Sequence, residues 1–129
     1  MTHKILVADD DFDNRTIVQE ALEAAGYQVV LAINGEEALE KISSEHPEVV
    51  LLDLSMPKIN GWEVAKRVRE NPALEDTPLI AFTAHALVGE ELKAKAAGCD
   101  DYISKPCLPK EVVERIAHWI QQKAGQAAA

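Results

Sequence analysis

The chain has 129 residues, of which 47% are hydrophobic, so it suits one globular domain with its own core. Its formal net charge is −9, and an acidic chain repels the phosphate backbone of DNA and RNA, so we expect no nucleic-acid partner. The first apolar run, residues 5–8, is too short for a signal peptide or a membrane helix. Cys99 and Cys107 lack metal-type spacing, which indicates reduced thiols in a cytoplasmic protein.

The predicted elements alternate between strand and helix from the N-terminus onward. Residues 4–8 have the unbroken apolar character of a buried strand, and apolar residues from Ile17 onward then recur at helical spacing up to Gly26. Residues 28–33 form the second predicted strand. Asn34 is placed to cap a second helix, and Pro47 marks its exit.

The second half of the chain repeats this pattern. Residues 48–53 are the third predicted strand, and a loop leads to a helix that ends near Asn71. Residues 78–83 are the fourth strand and 84–97 the fourth helix, closed by Gly98. Residues 101–104 are the fifth strand, and Pro109 suits the first turn of a last helix. We expect one domain over residues 1–122 and a flexible C-terminal tail over 123–129.

Five successive strand–helix units predict an α/β fold with a doubly wound, five-stranded parallel sheet. Strands without polar alternation are expected when helices cover both faces of a sheet. Crossovers between parallel strands are right-handed, which favours an open sheet. A closed eight-fold barrel needs roughly twice this length.

Chemically active side chains follow the ends of four predicted strands. The acids Asp9-Asp10-Asp11 follow the first strand, Asp53 ends the third, Thr83 ends the fourth and Lys105 follows the fifth. Because the carboxyl ends of parallel strands share one edge, where ligands bind, these groups are predicted to meet in one pocket. Carboxylates, a hydroxyl and an ammonium together suit a divalent metal and a phosphoryl group.

These motifs occur in the order and spacing of a known family: Asp9-Asp10, then Asp53 with Met56-Pro57 and Gly61 behind it, then Thr83-Ala84, then Lys105-Pro106. The chain resembles the receiver domain of bacterial response regulators from Lys4 to about Ile120. Residues 98–106 are most similar to stand-alone receivers and to receivers of hybrid kinases. The resemblance implies a flavodoxin-like sheet with strand order 2-1-3-4-5 and five helices.

The resemblance also implies the roles of the pocket residues. Asp53 would accept the phosphoryl group, and Lys105 would donate a hydrogen bond to it. Mg²⁺ would be bound by Asp10, Asp53 and the backbone carbonyl of Ser55, while Asp9 would mainly hold a metal-bound water. The alternative for the acids is capping of the first helix, which we favour for Asp11 and Asp13.

Further residues are implied to act in signalling. Thr83 would bond the phosphoryl oxygen and draw the following loop inward, and Tyr102 would turn with this movement. The alternatives are a β-branched strand residue and a partly buried strand aromatic, respectively. Ser55 and His85 occupy positions that in this family influence phosphoryl hydrolysis, although His85 also fits an exposed residue at a helix N-terminus. Trp62 is expected near the loop after Asp53.

The function implied is a phosphorylation-dependent switch in a two-component system or phosphorelay, which catalyses only its own phosphorylation and dephosphorylation. The donor would be a phosphohistidine on a histidine kinase or histidine phosphotransfer protein. The downstream protein would bind the fourth helix, fifth strand and fifth helix. One alternative is a receiver excised from a hybrid histidine kinase.

Two alternatives come from other functional classes. Small phosphohydrolases with an aspartyl-phosphate intermediate usually carry a second acid two residues after the nucleophile, where this chain has Ser55. A flavodoxin-type FMN module expects a hydroxyl-rich or glycine-rich loop after the first strand, where this chain has three acids.

Overall fold

In a computed structural model of the chain, residues 3–83, 89–105 and 108–128 are described, without the side chains of residues 90 and 123–128. These residues form five strands and five helices in strict alternation, as the sequence predicts. The elements are β1 (Lys4–Ala8), α1 (Phe12–Ala24), β2 (Gln28–Ala32), α2 (Gly35–Glu45), β3 (Val49–Leu52), α3 (Gly61–Glu70), β4 (Leu79–Thr83), α4 (Glu90–Ala97), β5 (Asp101–Ser104) and α5 (Pro109–Ala128).

All neighbouring strands are parallel, and their order is β2-β1-β3-β4-β5. The register pairs Ala8 with both Ala32 and Leu52, so β1, β2 and β3 end side by side. Thr83 pairs with Ser104, so β4 and β5 also end together. The predicted doubly wound, flavodoxin-like fold is confirmed, and the carboxyl ends of the strands form one edge, called here the C-terminal edge.

The core consists of two layers, one on each face of the sheet. Alternate strand residues such as Leu6, Val50 and Leu52 pack under α2, α3 and α4. Their neighbours, such as Ile5 and Leu51, pack under α1 and α5. All four residues of β3 are buried, which explains the absence of polar alternation in this strand.

Side-chain caps begin the first three helices. Asp11 caps α1 by accepting hydrogen bonds from the backbone N–H groups of Asp13 and Asn14. Asn34 caps α2, as predicted, and Asn60 caps α3. Because Asp11 satisfies the first N–H groups, α1 begins at Phe12, before its apolar periodicity becomes visible.

The ends of β2, β3 and β4 differ from the predicted ranges by one residue, and two helix boundaries differ further or lie outside the described residues. The described part of α4 begins after Gly89, and its predicted start at residue 84 lies in 84–88, outside the described residues. Helix α5 runs to Ala128, so the backbone of 123–128 continues the helix where the sequence predicts a tail. Alanine and glutamine favour helix, which accounts for the extension. The domain boundary at residue 122 stays a prediction.

None of the helices in the described part of the chain is both long enough and apolar enough to cross a membrane.

Candidate functional site

Three carboxylates converge at the C-terminal edge of the sheet. Asp9 and Asp53 are only 2% and 6% exposed, whereas Asp10 is exposed. One carboxylate oxygen from each lies within 4.8 Å of the others. The sheet sets this position, because the backbone N–H of Asp53 donates to the carbonyl of Ala8 at 2.9 Å. Residues 44 positions apart in sequence thus share one pocket, as predicted.

Lys105 brings the ammonium group into this pocket. Its Nζ lies 2.7 Å from Oδ2 of Asp9 and 3.6 Å from Oδ2 of Asp53. The Lys105 backbone N–H donates to the carbonyl of Thr83, and the ammonium lies 5.0 Å from the centre of the Phe82 ring. The lysine is therefore oriented by β4 from both its backbone and its side chain.

Among the described residues, the charge balance of the pocket is negative, since three carboxylates face one ammonium. Burial raises the pKa of Asp53, and the Asp9 carboxylate raises it further. The backbone N–H of Ser55 and the Lys105 ammonium oppose this effect without cancelling it. Hard oxygen donors with excess negative charge are the ligand set that Mg²⁺ takes, so these residues fit the metal that the sequence implies.

The loop after β3 begins beside the buried carboxylate. The Ser55 N–H donates to Oδ1 of Asp53 at 3.0 Å, which holds the backbone of Ser55 next to that side chain. The Gly61 N–H donates to the carbonyl of Leu54, and Trp62, half-buried, follows at the start of α3. This position agrees with the one expected for Trp62.

The two predicted switch residues lie on β4 and β5. Thr83 is fully buried at the end of β4. Tyr102 is half-buried and packs against the core layer under α2, α3 and α4. Tyr102 is therefore a partly buried aromatic residue of a strand, as the alternative interpretation expects. The movement of Thr83 and Tyr102 on phosphorylation stays a prediction. His85 lies outside the described residues, as do Pro106 and Cys107.

Asp11 serves the helix rather than the pocket. Its carboxylate accepts the N–H groups of Asp13 and Asn14 at 2.9 and 3.3 Å, and the side-chain amide of Asn14 as well. Its own N–H donates to Oδ1 of Asp9, which orients that side chain. The capping interpretation of Asp11 is confirmed.

Arg15 is a site residue that the sequence did not reveal. Its guanidinium donates to the backbone carbonyl of Asp9 at 2.8 Å and lies over the ring of Phe12. Arg15 therefore ties α1 to the end of β1. Its position one helical turn after Asp11 was the available signal, but such spacing is common on helix surfaces.

Comparison with known proteins identifies the class. Residues 5–117 match the family described as the response regulator receiver domain. The chain therefore belongs to this family.

Individual relatives agree with this assignment. The chain is 32% identical over 120 residues to the polar-differentiation response regulator DivK of Brucella ovis. The aligned region covers 93% of this chain and 98% of DivK. It is 43% identical over 113 residues to the probable transcriptional regulator ycf27 of Porphyridium aerugineum, covering 88% of this chain. It spans only 46% of that regulator.

Solved structures of similar proteins have the same architecture. A CheY-like receiver domain protein from Methanospirillum hungatei superimposes with a TM-score of 0.90 at 27% identity, covering 98% of this chain and 99% of that one. The BeF3-activated receiver domain of DrrB superimposes with a TM-score of 0.83 at 32% identity, covering 94% and 99%.

The chain is thus a receiver domain with an acidic pocket formed by Asp9, Asp10 and Asp53, and it signals by phosphorylation in two-component systems. It is not a conventional enzyme. Its family implies a histidine kinase as partner.

Proposed function

We propose that Asp53 accepts a phosphoryl group from a phosphohistidine, with Mg²⁺, and that the chain then signals through protein–protein contacts in the cytoplasm. The observation that carries this proposal is the pocket itself. A buried carboxylate lies beside two further acids, and a lysine ammonium is 3.6 Å from its oxygen. In the proposed step an Asp53 oxygen forms a bond to phosphorus, and the bond from phosphorus to the histidine nitrogen breaks.

The acids and one backbone group would hold the metal. Asp9, Asp10, Asp53 and the Ser55 carbonyl supply oxygen donors of the kind that Mg²⁺ requires. When bound, the ion neutralises charge on the phosphoryl oxygens, which otherwise repel the three acids. Asp10 is exposed, so the metal can enter from solvent.

Lys105 is placed to bind the phosphoryl group. Its ammonium already lies between the carboxylates of Asp9 and Asp53, and it is held there by β4. A phosphoryl group on Asp53 would add negative charge beside it, which strengthens a charge-assisted hydrogen bond.

Thr83 and Tyr102 are proposed to convert phosphorylation into a change of shape. Hydrogen bonds to charged groups contribute roughly 1.5–3 kcal/mol each, so bonds from Thr83 and Lys105 to the phosphoryl group supply about 3–6 kcal/mol. Inverting a 1:99 equilibrium needs about 5.5 kcal/mol. The two bonds therefore suffice for most of the switch if they form only in the active state. Ser55 and His85 are proposed to set how fast the phosphoryl group hydrolyses.

Exposed apolar side chains suggest where partners bind. Phe12, Ile33 and Leu108, each about half exposed or more, follow the ends of β1, β2 and β5 and so lie at the same edge of the sheet as the pocket. We propose this rim as the contact for the phosphohistidine protein, because any donor must reach Asp53 from this edge. For the downstream partner we propose α4, β5 and α5, where Leu92 is 74% exposed and a cavity of about 700 Å³ lies between β5 and α5.

The family assignment favours this function over the phosphohydrolase and FMN alternatives. The position two residues after Asp53 is Ser55, which cannot act as the second acid of a phosphohydrolase. The three acids after β1 repel the phosphate of FMN. Origin from a hybrid histidine kinase stays open as a proposal.

The test is incubation with acetyl phosphate and Mg²⁺, or with fluoroberyllate, while intact mass and tryptophan fluorescence are recorded. We expect the mass of one phosphoryl group to be added with acetyl phosphate, and a change in emission from Trp62 with either reagent. Asp53→Asn is the control and should show neither change. An unresponsive parent, or an equal response in the variant, would refute the proposal.

A further inference from the structure

The start of α2 packs directly onto the loop that follows Asp53. Gly35 is the first residue of α2, directly after the Asn34 cap, and it is buried. Its N–H approaches the carbonyl of Pro57 at 3.4 Å. The loop and α2 therefore meet backbone to backbone.

No side chain fits at this contact. A Cβ added to Gly35 would lie 1.6 Å from the carbonyl oxygen of Ile59 and 2.8 Å from its Cβ. The oxygen is a backbone atom, so rotation of a side chain cannot relieve the collision. At Gly26, by contrast, an added Cβ would meet nothing within 4 Å. Gly35 does not have a positive φ, and alanine is a better helix former, so close approach is the physical reason for glycine here.

The two ends of the same loop are held by Asp53 and Leu54, which directly follow β3. The Ser55 N–H bonds to Asp53, and the Gly61 N–H bonds to the carbonyl of Leu54. A Cβ added to Gly61 would lie 2.5 Å from the carbonyl oxygen of Asp53, so the backbone at this end also packs too closely to admit a side chain. Displacement of the loop at Pro57 and Ile59 would therefore be transmitted to Ser55.

We propose that Gly35 is a positioning residue for the metal site, because it lets the loop lie where the Ser55 carbonyl can act as a ligand. This inference rests on the proposed function, in which that carbonyl binds Mg²⁺. Among the hydrogen bonds of the described residues, the Gly35 N–H bonds to Pro57 and not to the acids. Its substitution should lower metal affinity without altering any ligand.

The test measures the binding of the metal alone. Mn²⁺, which takes the same oxygen donors as Mg²⁺, is titrated into the protein, and the free ion is followed by its EPR signal, with Mg²⁺ as competitor. Gly35→Ala should weaken binding about tenfold or more, the range seen when groups that orient ligands are changed. Unfolding midpoints without metal are recorded for the same samples.

The matched control is Leu39→Ala on the same helix, because Leu39 is half-buried against the core layer and its truncation adds no atom between Gly35 and the loop. It should lower the unfolding midpoint yet keep metal affinity within about twofold of the parent, as expected for independent sites. Equal metal affinity in Gly35→Ala and the parent would overturn the inference. An equal loss of affinity in Leu39→Ala would overturn it too, because general destabilisation would then explain the effect.

Lys58→Gly provides a second background in case Gly35→Ala alone does not fold. Lys58 has a φ of 68°, which glycine adopts freely, so the loop can shift away from α2. Gly35→Ala should still weaken metal binding in this background, and unchanged affinity there also contradicts the inference. Asp10→Ala separates the proposed metal site from the proposed role of Gly35. Equal metal affinity in Asp10→Ala and the parent would refute the metal site itself. Weaker affinity in Asp10→Ala would support the metal site, whatever the result for Gly35→Ala.

Discussion

At the residue scale, Asp53 lies in a pocket that stabilises its neutral form. Burial and the neighbouring Asp9 raise its pKa, and the opposing contributions of Ser55 and Lys105 are smaller in sum. A carboxyl with a raised pKa binds protons more readily in the native state than in the unfolded chain. Ionisation of Asp53 therefore reduces stability as pH rises from the ordinary aspartate value of 3.8 through the folded pKa.

Asp53→Asn should accordingly stabilise the protein at neutral pH in the absence of metal. The gain should be about 1–2 kcal/mol, within the range of single stabilising substitutions. The difference should shrink as pH falls through the folded pKa and should vanish below 3.8, where Asp53 is neutral in both states. Urea unfolding across this pH range measures it.

The control for this prediction is Asp76→Asn, since Asp76 is exposed. Its stability should stay within about 0.5 kcal/mol of the parent at every pH. A variant at position 53 that is less stable than the parent at neutral pH would contradict the assigned electrostatics.

The adjacent acids Asp10 and Asp11 should separate by function. Asp11→Ala removes the cap of α1 and should cost about 1 kcal/mol of stability while metal binding persists. Asp10→Ala should abolish metal binding with little loss of stability, because its side chain is exposed. Unfolding and Mn²⁺ titration of both variants check this, and an interchange of the two results would refute the assignment.

The sequence predicted the acids of the pocket because Asp9-Asp10 and Asp53 follow the ends of β1 and β3. It could not predict the 2.7 Å bond between Lys105 and Asp9, which joins residues 96 positions apart. The resemblance placed Lys105 toward the phosphoryl group, and the structure adds that Asp9 is its present partner. Which carboxylate a lysine chooses depends on side-chain positions that the chain order does not encode.

At the element scale, Arg69 joins α3 to the segments that precede β4 and β5. Its guanidinium donates to the carbonyls of Glu75, Thr77 and Gly98 at 2.7–2.8 Å. It also forms a 2.6 Å ion pair with Asp100, whose carboxylate accepts the N–H of Leu79. This network secures the C-terminal end of α4 at the side of the sheet opposite the pocket.

Arg69→Met should therefore destabilise the protein by about 2–3 kcal/mol, since several charge-assisted hydrogen bonds are lost together. Arg67→Met is the control on the same helix: Arg67 is 51% exposed and pairs only with Glu63 among the contacts described, so we expect a loss of about 0.5 kcal/mol or less. Chemical unfolding of both variants is the measurement. Equal losses would contradict the assigned role of Arg69.

The proposed path from β4 to the surface formed by α4, β5 and α5 can be tested through two indole groups. Trp62 follows the loop between β3 and α3, whereas the Trp119 indole N–H donates to Asp101 of β5 at 2.9 Å. Fluoroberyllate with Mg²⁺ should shift both indole NMR signals in the parent. In Thr83→Ala only the Trp62 signal should shift, because the acceptor site remains intact while the proposed link to β5 is lost.

Thr83→Ser retains the hydroxyl and is the control for that experiment. It should restore the shift of the Trp119 signal. A normal Trp119 response in Thr83→Ala would refute the switch role of the hydroxyl.

The elements themselves were largely predictable, because caps and apolar periodicity are local signals. Asn34 and Gly98 mark helix ends where the sequence places them. The Arg69 network was not predictable, since it joins Arg69 to backbone carbonyls up to 29 positions away and to a carboxylate 31 positions away. The extension of α5 to Ala128 was not predictable from composition, because a segment rich in alanine and glutamine is compatible with both a helix and a flexible tail.

At the scale of the whole molecule, the parallel sheet turns distant residues into one pocket. Both faces of the sheet are covered, so apolar strands could be recognised from their composition, and the polar residues that follow them stand out. The strand order required the family resemblance, because short crossovers alone permit several orders. The sequence could not predict the packing of Gly35 against the loop between β3 and α3, because this contact exists only in the folded chain.

The central claim is that this convergence makes Asp53 the phosphoryl acceptor. The most direct measurement treats the protein with acetyl phosphate and Mg²⁺, reduces it with borohydride and maps the product by peptide mass spectrometry. Because an acyl phosphate is reduced to an alcohol, we expect homoserine at position 53 and unmodified aspartate at positions 9 and 10. Homoserine at either of those positions, or intact Asp53 after complete treatment, would contradict the account.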